Sequence, residues 1–158
     1  LQRIFKWACR MIQDLRAQVA PPLNGEQGII GEFILRNDQN ILVINDRADG
    51  RSGLYSEPVW KPTGAIKIRF EPDTMRVYVA VSALREECAA RSISYSELVR
   101  GLKKVGLCVD LCNKRMGKGW KFDGPSVRTL VLDGKHNDCI SIESMIPQEE
   151  ESAPQEAA

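Results

Sequence analysis

The chain is poor in the groups from which most catalytic sites are built. It has one histidine, His136, and no serine or cysteine is arranged beside it for nucleophilic attack. The HND in which it sits reads as a turn. No carboxylate pair stands at a spacing that singles it out for general acid–base work. The stretch MGKGW (Met116 to Trp120) lacks both the spacing and the hydroxyl of a nucleotide loop, which needs G-x-x-x-x-G-K-[ST] between a strand and a helix. No catalytic residue and no cofactor is therefore expected, and the chain reads as a non-enzymatic domain.

Long apolar runs are missing too. None approaches the roughly 20 residues of a membrane-spanning helix, which argues against a membrane partner. At the N-terminus basic and apolar residues are interleaved, unlike a signal peptide. Leu1 in place of Met suggests a piece cut from a longer protein, or a processed start. The five cysteines (Cys9, Cys88, Cys108, Cys112, Cys139) are odd in number and scattered. Cys9 and Cys88 fall on apolar faces of predicted helices, where a thiol behaves as a small hydrophobe. That usage fits a reducing, cytoplasmic setting better than a disulfide framework. No internal repeat is present.

What remains is ordinary globular composition, 43% hydrophobic and 27% charged, enough for a core. The segment 147–158 is acidic, rich in Pro and Ala, and without a large apolar residue. It reads as a disordered tail, because it cannot bury enough surface to offset its ordering entropy. Residues 1–22 read as an N-terminal helix connecting to an upstream part, and 23–146 as the folded domain. The chain holds 22 Lys+Arg and 21 Asp+Glu, but the tail takes Glu149, Glu150, Glu151 and Glu156, so the body is net basic. The basic charge is concentrated. From Arg91 to Arg128 nine Lys/Arg face only Glu97, Asp110 and Asp123, an asymmetry that attracts polyanions.

Apolar spacing predicts an amphipathic helix over residues 2–19, stopped by Pro21-Pro22, and a second helix from a cap at Asn24 to about Arg36. ILVIN (41–45) is of strand type, and 46–63 reads as a loop. AIKIRF (65–70) and MRVYVAV (75–81) alternate, with EPDT as the turn between them. They predict a hairpin with one buried face, Lys67 and Arg69 pointing away from it. Ser82 is placed to cap a helix over 83–91. Ser94 and Glu97 form a capping box for a helix over 95–105 that buries Tyr95, Leu98, Val99, Leu102 and Val105, with Gly106 as its C-terminal stop. LCVDLC (107–112) and SVRTLVLD (126–133) read as strands flanking NKRMGKGWKFDG (Asn113 to Gly124).

Helix, short turn, helix, strand, basic loop, strand is the order of the second half of a winged helix. The predicted fold is α+β and winged-helix-like, with N-terminal helices and an additional β-hairpin. In such units the second helix enters the major groove. Its outward residues here are Ser96, Arg100, Lys103 and Lys104. The wing would supply Lys114, Arg115, Lys118, Lys121 and Arg128 as phosphate contacts, since phosphates carry most of the affinity for nucleic acid. Trp120 and Phe122 stack on bases or pack the hairpin onto the helices. A protein-interaction module whose basic surface is only a solvated face is the alternative, and an enzyme domain with a split site is a third.

Cys108, Cys112, His136 and Cys139 are four soft ligands. Cys108 and Cys112, however, are four apart on a strand, on one face but ~13 Å apart by the strand rise. One zinc cannot bridge that distance, so core thiols are expected and no metal.

The run EPDTMRVYVAVSALREECAARSISYSELVRGLKKVG, followed by NKRMGKGWKFDGPSVRTLVLD, resembles the C-terminal end of large replication proteins of phages and mobile elements. These carry a helicase or primase–helicase body followed by a small winged-helix region. The resemblance covers roughly residues 25–135 and includes no catalytic motif. It implies a domain that binds duplex DNA beside an upstream helicase or primase-type part.

Overall fold

Two rows of apolar side chains, each crossing five strands, organise the domain. The computed structural model describes residues 25–45, 57–120 and 124–146. In chain order these form α1 (Glu26–Arg36), β1 (Ile41–Val43), β2 (Ile68–Glu71), β3 (Arg76–Ala80), α2 (Val81–Ala90), α3 (Tyr95–Lys104), β4 (Cys108–Arg115) and β5 (Ser126–Asp133). The fold is α+β, with one five-stranded sheet in the order β1-β2-β3-β5-β4. β1 and β2 are parallel and the other pairs antiparallel. In the first row Ile41, Ile68, Val79, Leu130 and Leu111 are successive cross-strand partners. In the second they are Val43, Phe70, Val77, Leu132 and Cys108. Both rows join one cluster with Ile30, Phe33 and Ile34 of α1, Leu84 and Cys88 of α2, and Leu98 and Leu102 of α3. Alternation with a period of two puts these residues on one face, and the helices cover that face.

The edge at β1 is not open. Val43 bridges Trp60, and Val59 N–H donates to the Val43 carbonyl at 2.9 Å. That contact occupies backbone groups an edge strand would otherwise present.

Local chemistry shifts several predicted boundaries. Asn24 lies outside the described residues, and the position before α1 is Gly25, at φ 88° with no side-chain cap. β2 begins at Ile68, later than predicted. Lys67 there spends its ammonium on Asn37 Oδ1 at 2.9 Å, while Asn37 Nδ2 donates to the Phe33 carbonyl at the end of α1. β3 starts after Met75, whose φ of 53° belongs to the turn and whose carbonyl accepts from Gly134 N–H at 2.8 Å. Ser82 caps nothing. Ala80 is both the last residue of β3 and the cap position of α2, so Ser82 already lies in the first helical turn. The predicted helix over 2–19, the loop segment 46–56 and the tail 147–158 lie outside the described residues.

α2 ends in a Schellman arrangement. Ser92 N–H donates to the Ala89 carbonyl at 3.1 Å, and Ile93 N–H to the Cys88 carbonyl at 2.9 Å. Ser92 sits there at φ 55°, a conformation costly for a residue with a Cβ. Ser92→Gly is expected to raise the unfolding free energy by about 0.5–1 kcal/mol, strain relief exceeding the added chain entropy. Urea unfolding checks it: the midpoint should rise with the slope unchanged.

One prediction about the sheet is corrected outright. The face away from the helices is also buried near its centre. Arg69 and Glu71, both fully buried, occupy it together with Thr129. Leu42 and Ile44 form a second small cluster there, against which Ile66 and Trp120 pack. The residues that cover this face come from the β4–β5 connection, although β3 and β5 lie between β4 and β2 in the sheet. The hairpin therefore bends back over the sheet instead of standing clear of it.

Candidate nucleic-acid interface

α3 is a two-faced helix for identifiable reasons. Ser94 Oγ accepts from Glu97 N–H at 3.4 Å and also contacts Ser96 Oγ at 2.9 Å. Only the serine half of the predicted capping box is made. Leu98, Val99 and Leu102 are buried, and Tyr95 packs half-buried against the same core. Val105 is not part of that face. It is the C-terminal cap residue and 38% exposed. Gly106 follows at φ 82°, with its N–H on the Lys103 carbonyl, as a C-terminal stop requires. Opposite the buried stripe, Ser96, Arg100, Lys103 and Lys104 are all exposed. Spacings of four, seven and eight residues put them on one side of the helix.

The basic side chains of the domain fall into two populations. Arg36 and Arg91 share Glu32 and Glu87, Lys61 pairs with Glu57, and Arg76 reaches Asp133. By contrast Arg100, Lys103, Lys104 and Arg128 have no ion-pair partner among the described residues. Arg128, exposed on β5, stands opposite Asn113 and shares the helix side of the sheet with Leu130 and Leu132. Arg115, opposite Ser126, is exposed as well. Arg100, Lys103, Lys104 and Arg128, exposed and without a carboxylate partner among the described residues, keep their full attraction for an external anion.

Lys114, near the end of β4, is mostly buried and paired. Its Nζ lies 2.7 Å from Glu71 Oε1 and 4.3 Å from the centroid of the Tyr78 ring, with the side chain 17% exposed. The same Glu71 oxygen accepts from Arg69 Nε at 2.7 Å. Arg69 Nη1 donates in turn to the carbonyl oxygens of Met116 at 3.1 Å and Lys118 at 2.7 Å. Burial pushes the Tyr78 phenol above its ordinary range, and the Glu71 carboxylate adds to the shift. Phosphate contact by Lys114 would have to compete with this network. The Lys118 backbone is held by Arg69, and its side chain is half-buried. Trp120 packs against Leu42 and Ile44, on the sheet face away from the helices. Lys121 and Phe122 lie outside the described residues.

The bent hairpin leaves an open groove of about 570 Å³ beside residues 62–66. Its walls include Ile66, Met116, Trp120, Pro125 and Val127, and among the described residues no charged side chain lines it.

The zinc constellation is not assembled. A bulge between Cys108 and Asp110 inserts a residue and reverses the face relation that regular alternation predicts. Cys108 enters the helix-side core, while Cys112 contacts Thr129 Oγ1 at 3.4 Å on the other face. Burial, with Asp133 adding to it, pushes the Cys139 thiol up to about 11, so it is protonated at neutral pH. His136 Nδ1 accepts from Asp138 N–H at 3.2 Å, which leaves Nε2–H to donate to the Val105 carbonyl at 3.0 Å. No group of metal-ligating side chains is gathered among the described residues. No described helix is long and apolar enough to cross a membrane.

Comparison with protein-family models, curated proteins and solved structures returns no match. The reading of this surface rests on its own chemistry.

Proposed function

We propose that the chain is a non-enzymatic, winged-helix-like domain that binds duplex DNA. The observation that carries the reading is the exposed face of α3, where Arg100, Lys103 and Lys104 have no carboxylate partner. The connectivity supports it. β3 leads into α2 and α3, and the hairpin β4–β5 returns to pair with β3. In a winged helix that order makes the second helix of the pair the groove-facing one. Arg128 extends the basic surface from the helix onto the strands. The groups that hold the backbone are then the three α3 cations and Arg128, with Lys114 kept for the sheet. An appendage of a larger phage or mobile-element replication protein is the context the sequence resemblance suggests.

Titration of a labelled duplex across a range of salt concentrations tests this. Three or four neutralised phosphates give a slope of log K against log salt of about −3 to −4. A flat response, or no binding at low salt, overturns the proposal.

A second reading has its own observation. Val109 on β4, the edge strand among the described residues, is 49% exposed, and Val105 at the end of α3 is exposed as well. An unpaired edge with apolar side chains suits strand addition by a protein partner. A concentration-dependent increase in solution mass that persists in high salt favours it.

A further inference from the structure

We propose that Arg85, seated over the ring of Tyr95, is a further phosphate contact on α2, and that Tyr95 is the residue that positions it. The inference rests on the reading of α3 as the DNA-facing helix and extends that interface to a second helix.

Arg85 is exposed, and its guanidinium carbon lies 4.9 Å from the Tyr95 ring centroid. It has no ion-pair partner among the described residues. At the end of the same helix, Arg91 is tied to both Glu32 and Glu87. Two arginines that differ by six positions thus have opposite fates. One locks α2 to α1, and the other lies over a ring with no anion supplied.

A guanidinium placed over the ring has a chemical consequence. A guanidinium binds an aromatic ring through its flat face and an anion through the N–H groups in its plane. The ring therefore fixes the side chain without consuming the donors that a phosphate diester needs. Tyr95 is a firm platform, because it is the first residue of α3 and packs against the core. Its neighbour Ser96 opens the exposed basic face. Burial pushes the Tyr95 phenol up, while the positive charges of Arg85 and, less strongly, Arg128 pull it down, so both arginines act on the start of α3. Glu86 and Glu97 are exposed nearby in sequence, and neither pairs with Arg85. Anionic phosphate is the ligand chemistry that completes this arrangement.

Anisotropy titrations of a labelled duplex, in two unrelated sequences, test the assignment. Arg85→Gln should weaken binding ~5–10-fold near 0.1 M salt, equally for both sequences, and make the salt slope shallower by about one. Arg85→Lys should keep the slope and lose part of the affinity. Tyr95→Phe should bind like the parent. Tyr95→Leu should weaken binding, and adding it to Arg85→Gln should cost little more, since the two act as one unit. If Tyr95→Leu does not fold, the two Arg85 variants still decide the matter. Arg85→Gln with the parent's affinity and slope, alongside an Arg100→Gln that loses both, overturns this inference and leaves the α3 reading standing. No binding by the parent chain at low salt overturns both.

Discussion

Glu71→Gln is expected to destabilise the domain by about 3–5 kcal/mol, the usual cost of breaking a buried ion pair from one side. Glu71 stands between two cations, Arg69 Nε and Lys114 Nζ, each 2.7 Å from the same oxygen. Arg69 is fully buried and cannot carry its charge to water. Its donors to the Met116 and Lys118 carbonyls are also what hold the hairpin against the sheet. Lys114, 17% exposed, has more freedom to swing outward. Lys114→Met should therefore cost less than Glu71→Gln, and it should partly offset the loss when the two are combined, because it removes one of the stranded charges. Equilibrium urea unfolding of the two single variants and the double variant measures this. A Glu71→Gln within about 1 kcal/mol of the parent would show that water reaches Arg69 and that the network is not a structural anchor.

That network also marks where sequence reading stopped short. The helix-side core was legible, because Ile68/Phe70 and Val77/Val79 alternate, and Leu98/Leu102 keep helical spacing. The same alternation put Arg69 on the opposite face, and a charged residue there is normally read as solvated. Its burial depends on contacts 47 and 49 residues away, with the carbonyls of Met116 and Lys118. No local pattern encodes a partner at that distance. The pairing of Lys114 was hidden for the same reason, its anion being Glu71 on β2, with β3 and β5 lying between that strand and β4.

The α3 face was more legible. Helical period alone separates Ser96, Arg100, Lys103 and Lys104 from the buried Leu98 and Leu102. Arg85 was not singled out, since a lone arginine on the first helix of a pair has no distinctive spacing. Its signal is the contact with Tyr95, ten residues on, which appears only once α2 and α3 are packed. The bulge at Cys108–Asp110 is a further case. A regular strand puts Cys108 and Cys112 on one face, and one inserted residue separates them.

Reversing Arg100, Lys103 and Lys104 together to Glu is expected to weaken duplex binding by ~10³-fold or more near 0.1 M salt. Each lost phosphate contact removes about 0.9 from the salt slope, so three account for most of the decrease, and repulsion adds to it. The three positions are exposed and make no ion pair among the described residues, so their contribution to folding is small. Lys103 and Lys104 do lie in the last turn of α3, where cations suit the helix dipole. Up to roughly 1 kcal/mol of stability per position is therefore at stake, which a parallel set of Gln variants separates from binding. Two further variants make the result specific. Lys61 is exposed beside β1, at the other edge of the sheet from β4, and Lys61→Glu should change binding only slightly if a shaped surface, rather than net charge, attracts the duplex. Lys114→Gln should reduce stability while leaving the salt slope intact, because its ammonium serves Glu71. If Lys61→Glu weakens binding as much as a single α3 reversal does, the interaction is diffuse attraction to a basic body, and α3 is not the surface that meets DNA.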